Sequence, residues 1–241
     1  MRPTVVLIPG NMCDARQWDG GDKALRRALT ERRFVIIDAD TTSDATIRAM
    51  AERALSACEG PLVPVGFSMG AIVALAMAHQ APSRIPAMAL FGLNAGPDLA
   101  ERSAARVRQQ AEVREGGLER VIVEELKPNY LAAANRRDTA LLSLLRDMGM
   151  ALGSEVFLAQ SEALRTRADL RPVLDTTSAH VLLGCGEEDD LCPPAWHRDW
   201  VARARAGRLA TFAGAGHMLP LEAPQAFADT LIAWIEERNL A

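Results

Sequence analysis

Leu62-Val63-Pro64-Val65-Gly66-Phe67-Ser68-Met69-Gly70-Ala71-Ile72-Val73-Ala74-Leu75 is the stretch that decides the fold class. Leu62–Val65 is a short apolar run of strand type, and Met69–His79 is apolar all round, as a helix buried on every side would be. Between them lies Gly66-Phe67-Ser68-Met69-Gly70, a turn that must reverse from strand to helix within a few residues. The glycines suit such a turn because side chains would clash where strand and helix nearly touch. A serine at its apex projects its hydroxyl above the sheet, where a nucleophile is useful. A bare Gly-x-Ser-x-Gly arises by chance in roughly one chain of this length in fifteen. The strand before it and the apolar helix after it therefore carry the reading.

Outward from this turn, short apolar runs alternate with helical segments, the pattern of a mostly parallel sheet flanked by helices. Strands are predicted at Thr4–Ile8, Phe34–Ile37, Leu62–Val65, Ile85–Leu90, Val181–Leu183 and Leu209–Phe212. Helices are predicted over Asp44–Cys58 and Met69–His79, and from Pro224, a residue suited to a first helical turn. Residues 98–175 break the alternation. Leu118–Leu126, Thr139–Met150 and Glu155–Leu164 have helical apolar spacing, punctuated by Gly116-Gly117, Pro128 and Gly153. The organisation read from this is a core of residues 1–97 and 176–241 with a helical cap inserted at 98–175.

Bulk properties limit the remaining classes. The chain has 241 residues, 49% hydrophobic and 24% charged, the balance of an ordinary globular domain. Its net charge of −4 and lack of like-charge runs give no reason to expect a nucleic-acid or membrane partner. The four cysteines, Cys13, Cys58, Cys185 and Cys192, match no usual zinc spacing and read as reduced thiols. Neither a secretory leader nor a spanning apolar stretch is visible, so a cytoplasmic location is expected.

A serine hydroxyl is a weak nucleophile at neutral pH and needs a base. Of the four histidines, His79 ends the apolar helix, His180 precedes a strand and His197 falls inside a helix. His217 differs, since Gly214-Ala215-Gly216-His217-Met218 follows the last strand on the side where open parallel sheets bind ligands. A carboxylate should hold the imidazole tautomer, from the loop after the fifth strand. That loop offers Glu187, Glu188, Asp189 and Asp190, and the residues alone do not choose among them. Oxyanion donors are expected at the backbone N–H of Met69, at the helix start, and of Asn11, behind Pro9-Gly10.

These residues resemble the α/β-hydrolase superfamily across nearly the whole chain. The matching features are Leu7-Ile8-Pro9-Gly10 with Trp18, the Ser68 turn, Gly184…Asp189-x-Leu191-Cys192-Pro193, and Gly216-His217-Met218-x-x-x-Glu222-x-Pro224. The resemblance is nearest to small capped members such as enol-lactone hydrolases, carboxylesterases and ring-cleavage-product hydrolases. It implies Asp189 as the acid, with Asp190 in reserve, and a Ser68–Asp189–His217 triad. It also implies hydrolysis of a small-molecule ester, lactone or thioester through an acyl-enzyme, without metal or organic cofactor. The chain departs from the family pattern at Pro9, where a histidine is usual, and at Ala39–Ser43, which lacks Gly-x-Gly-x-Ser. It also starts at the third strand of the full fold.

C–C hydrolysis of a vinylogous diketone would use the same triad, with Arg165, Arg167 or Arg171 available to clamp a substrate carboxylate. A ligand sensor with little turnover is the alternative from another class. Leu126, Tyr130, Met148, Phe157 and Met218 are the expected apolar pocket residues.

Overall fold

The computed structural model describes residues 2–126 and 130–238. Within them six parallel strands form one sheet in the order β2-β1-β3-β4-β5-β6. They are β1 (Thr4–Ile8), β2 (Ile36–Asp38), β3 (Leu62–Phe67), β4 (Ala87–Phe91), β5 (His180–Gly186) and β6 (Gly207–Phe212). Successive side chains of a strand point to opposite faces, and both faces here are covered. Val6 and Ile8 enter one core with Met88, Leu90, Val181 and Leu183. Val5 and Leu7 enter the other with Val63, Val65, Ala89 and Leu182. Near-continuous apolar runs are the sequence consequence.

Helices α2 (Ile47–Ser56) and α3 (Met69–Gln80) close the first core. In α3, Met69 through Ala78 are all buried, between the sheet and α2. Thr46 caps α2, its hydroxyl accepting from the Ala49 N–H at 3.1 Å, so the helix starts later than the predicted Asp44. Helices α1 (Gly20–Glu31) and α10 (Pro224–Glu237) close the second core. Phe227, Leu231, Trp234 and Ile235 are its inward stripe, each side chain stabilising by about 1.5–3 kcal/mol through burial.

Between β4 and β5 the chain forms α4 (Ala100–Arg114), α5 (Leu118–Arg120), a π-helical turn (Val121–Leu126), α6 (Thr139–Arg165) and α7 (Arg171–Thr176). The two helices expected either side of Gly153 abut there, where φ 80° and ψ 178° break the helical path. Pro128 lies outside the described residues. Helices α8 (Pro194–Arg203) and α9 (Leu219–Glu222) flank the loops after β5 and β6.

Some strand limits differ from the sequence reading. β2 falls two residues late, because Phe34 turns inward off α1, its N–H donating to the Leu29 carbonyl. β5 extends through Gly184–Gly186, which still pair with β6. The chain leaves β1 towards β2 and returns on the far side as β3, so β1 and β3 flank a topological switch point. Ligands of open parallel sheets bind at the carboxyl ends beside such a point. Gly10-Asn11 and Ser68 lie there.

Candidate active site

Ser68 follows β3 directly and starts α3, with φ 52° and ψ −113°. A serine in such a conformation costs about 1–3 kcal/mol and persists only where its surroundings enforce it. The Ser68 N–H donates to the Phe91 carbonyl at 2.8 Å, and the Ser68 carbonyl accepts from the Ala71 N–H at 3.0 Å. A Cβ on Gly66 would collide with the Gly70 carbonyl, and one on Gly70 with the Ile8 carbonyl. Both glycines are thus required for strand and helix to close on each other. The Ser68 hydroxyl is left facing the loop after β6.

His217 lies on that loop, buried, with Nε2 3.0 Å from Ser68 Oγ. Its Nδ1 is 2.8 Å from Asp189 Oδ2. An ionised carboxylate only accepts, so Nδ1 carries the proton and Nε2 is free to accept from the serine hydroxyl. Asp189 Oδ1 accepts from the N–H groups of Leu191, at 2.9 Å, and Cys192, at 2.8 Å. Burial by itself would raise the Asp189 pKa. The His217 imidazole and the Cys192 N–H outweigh it and hold the carboxyl below its ordinary value. Asp190, one residue on, is exposed and faces Arg136 at 3.4 Å. Glu188 accepts from the Ala133 N–H instead, at 2.8 Å. Gly92 backs the imidazole, where a Cβ would come within 2.9 Å of His217 Cε1.

The loop after β1 faces the start of α3. Among the described residues, neither the Asn11 nor the Met69 backbone N–H donates to a protein acceptor. Two N–H groups left unpaired beside a serine can stabilise an oxyanion. The Asn11 loop is held by two glutamines. Gln17 Oε1 accepts from the Gly10 N–H at 3.0 Å. Gln160 Oε1, from α6, accepts from the Met12 N–H at 2.8 Å and Asn11 Nδ2 at 3.1 Å. The Gln160 amide nitrogen donates to the Thr41 carbonyl at 3.1 Å.

A cavity of about 160 Å³ opens over Ser68, walled on one side by Asn11, Met69 and His217. Its other wall comes from the helical insertion and is far more polar than the expected apolar lining, with Asp98, Arg102, Arg106 and Gln109. Of the five expected pocket residues, Leu126 and Tyr130 line it. The other three require correction. Met148 and Met218 are fully buried in the sheet–α10 core. Phe157 packs on Met12, Val113, Val121 and Ile122. For Met148 and Phe157, helical spacing marks an inward face but cannot tell core from cavity, whereas Met218 sits on the loop beside His217 and turns into the core.

The arginines considered for a substrate clamp are tied to protein acceptors, including Arg167, which lines the cavity. Arg165 pairs with Glu162 at 2.6 Å and Arg171 with Asp169 at 2.5 Å. Arg167 is buried, bonded to Asp98 at 2.8 Å and to the Gly96 and Leu164 carbonyls. Among the described residues no group of three or more His, Cys, Asp or Glu could hold a metal. No helix described is long and apolar enough to cross a membrane.

Three residues take supporting roles that the sequence did not assign to them. His197 is fully buried in α8, its Nε2 accepting from the Leu93 N–H at 3.0 Å while Nδ1–H points to the Pro193 carbonyl at 3.3 Å. Burial depresses its pKa to about 4. Glu222 accepts from the Gly216 N–H at 2.9 Å and the Ala132 N–H at 2.7 Å, joining the His217 loop to the insertion. Gln160 sits on the apolar stripe between Phe157 and Leu164, and a lone amide there is a signal that could have been read.

Comparison with known proteins places this geometry. A model of the alpha/beta hydrolase family matches residues 5–230. The polyketide synthase ThaQ of Burkholderia thailandensis is 29% identical over 255 aligned positions, covering 98% of this chain but only 12% of that protein. Among solved structures, a thermophilic esterase from Thermogutta terrifontis is 25% identical, with TM-score 0.89, covering 98% of this chain and 90% of its own. The enol-lactonase from Burkholderia xenovorans shares the fold at 21% identity and TM-score 0.85, covering 98% and 92% respectively. A sheet, an elbow and a family match spanning nearly all of its length agree: this chain belongs to the alpha/beta hydrolase family.

Proposed function

We propose that this hydrolase is a serine enzyme that cleaves a carboxylic ester, lactone or thioester of a small molecule through an acyl-enzyme. The observation that carries the reading is the unbroken chain Ser68 Oγ–His217 Nε2–His217 Nδ1–Asp189 Oδ2, at 3.0 and 2.8 Å. In the proposed sequence His217 takes the Ser68 proton as Oγ attacks the carbonyl carbon. The Asn11 and Met69 N–H groups hold the oxyanion. The imidazolium, steadied by Asp189, returns the proton to the departing alkoxide or thiolate. Water activated by His217 then attacks the acyl-serine and frees the acid, regenerating Ser68. The inserted helices act as a cap that selects substrate over the serine. Their residues in the cavity wall support that role.

The test combines a fluorophosphonate probe with a panel of esters, lactones, thioesters and ring-cleavage diketones. Labelling confined to Ser68 together with ester or lactone turnover is expected. Labelling without turnover of any member would favour a ligand sensor. Turnover of the diketones alone would replace ester chemistry by C–C cleavage.

A further inference from the structure

We infer that the cavity over Ser68 takes a carboxylate, so that the preferred substrate is a short ester carrying one free acid group. This rests on the serine-hydrolase reading above. Arg106 lines the cavity from α4 and uses only Nε on protein, donating to Asp98 Oδ2 at 3.0 Å. Among the described residues its two terminal nitrogens donate to no protein acceptor. Arg102, one turn earlier on the same helix, lines the same space and donates to the Leu191 carbonyl at 2.6 Å.

A second, independent observation lies after β4. Asn94 lines the cavity, is 7% exposed, and its Oδ1 accepts from the Gly96 N–H at 3.1 Å. Its Nδ2 is buried with no hydrogen-bond partner among the described residues. A buried amide donor without an acceptor is destabilising and calls for a missing partner. Arg106 thus offers unused donors at the cavity, with the unpartnered amide of Asn94 buried in its wall, and an acceptor-rich group is the ligand that suits them.

Charge selects the same ligand. Among the described residues two carboxylates share the lining, and each is already neutralised: Asp98 by Arg106 and Arg167, Glu125 by Arg120 and Arg108. A cationic or purely apolar group would leave the guanidinium unanswered. The cavity, of about 160 Å³, suits a short substrate rather than a long acyl chain.

The test compares matched esters on the wild-type enzyme. The para-nitrophenyl half-ester of glutaric acid is set against para-nitrophenyl valerate, placing the acid on the acyl side. Then para-carboxyphenyl butyrate is set against para-carbamoylphenyl butyrate, placing it on the leaving group. In one pair kcat/KM should favour the acid by about tenfold or more, the scale of a charge-assisted contact. That ratio should fall towards parity in Arg106→Gln and be kept in part by Arg106→Lys. Turnover with no acid preference in either pair overturns the carboxylate site and leaves the hydrolase reading intact. If neither these esters nor the lactones, thioesters and diketones of the panel are turned over, the hydrolase reading fails. Calorimetry with glutarate then decides the site: binding lost in Arg106→Gln supports it, and no binding to wild type overturns it. Arg106→Gln also removes a partner of Asp98, so its melting temperature is recorded. The wild-type ratio needs no variant.

Discussion

Gln160 Oε1 lies 2.8 Å from the Met12 backbone N–H, a contact that spans 148 residues and binds α6 to the loop after β1. Gln160 is fully buried, and both ends of its amide are used, by Met12, Asn11 and Thr41. The insertion therefore sets the position of the Asn11 N–H.

Gln160→Leu keeps the volume but strips the Met12 N–H and Thr41 carbonyl of their partner. Each buried group left unpaired costs about 1–3 kcal/mol, so the melting temperature should drop. In the proposed mechanism Asn11 acts on the transition state, so kcat should fall by about tenfold to a hundredfold, with KM changed less. Steady-state kinetics at a temperature where the variant is folded make the check. A raised KM with kcat intact would show that Gln160 shapes binding only.

Ser68→Ala removes the proposed nucleophile from a backbone held by Gly66, Gly70 and Phe91. Turnover should fall by about 10⁶, while circular dichroism and melting temperature stay near those of wild type. The hydroxyl adds little to stability, since the φ of 52° is imposed by its neighbours. Ester hydrolysis within an order of magnitude of wild type would exclude the serine mechanism.

The two adjacent aspartates should behave oppositely. Asp189→Asn loses the charge facing the imidazolium and favours the wrong His217 tautomer, for a loss of about 10⁴ in kcat. Asp190→Asn removes only an exposed contact with Arg136 at 3.4 Å, worth about 0–1 kcal/mol. Parallel kcat measurements separate them. Asp190→Asn proving the worse would move the acid to the neighbouring position.

The sequence carried the sheet and the elbow because both rest on local pattern. Apolar runs show buried strands, and Gly66 and Gly70 show a turn that tolerates no side chain. It was silent where the decisive partner is distant. His197 reads as one more helical residue until α8 lays it under Leu93, and Asn94 is an ordinary loop amide until the insertion closes over it. The polar cavity wall was misread for a related reason. Arg102 and Arg106 look like solvated helix charges, whereas α4 turns them towards Ser68. Helical periodicity likewise sent Met148 and Phe157 to a pocket when packing had already claimed them, and Met218, next to His217 on the loop after β6, is packed into the core as well.

His197 should make the fold sensitive to acid. Its neutral ring accepts from Leu93 and donates to Pro193, so protonating Nε2 would set a charge against an N–H in a buried site. The folded pKa is depressed to about 4 from the ordinary 6.5. Between those values the unfolded chain binds more protons than the folded one, and stability rises with pH. The contribution is complete above about pH 6.5 and is lost as pH falls through about 4, amounting to about 3 kcal/mol at 1.36 kcal/mol per unit. Asp189, whose folded pKa is lowered, adds an acid-linked loss only below the ordinary carboxylate range of about 4. The two windows are therefore separable. Urea unfolding near pH 7 and near pH 4.5 should show a marked drop for wild type and a smaller one for His197→Gln. Glutamine can still accept from Leu93 and donate to Pro193, but it does not titrate. Because His197 braces the start of α8 beside the Asp189 loop, the same variant should lower kcat modestly while leaving the shape of the pH–rate profile unchanged. An equal loss of stability in both proteins over this range would place the acid sensitivity elsewhere, and His197 would then be a packing residue alone.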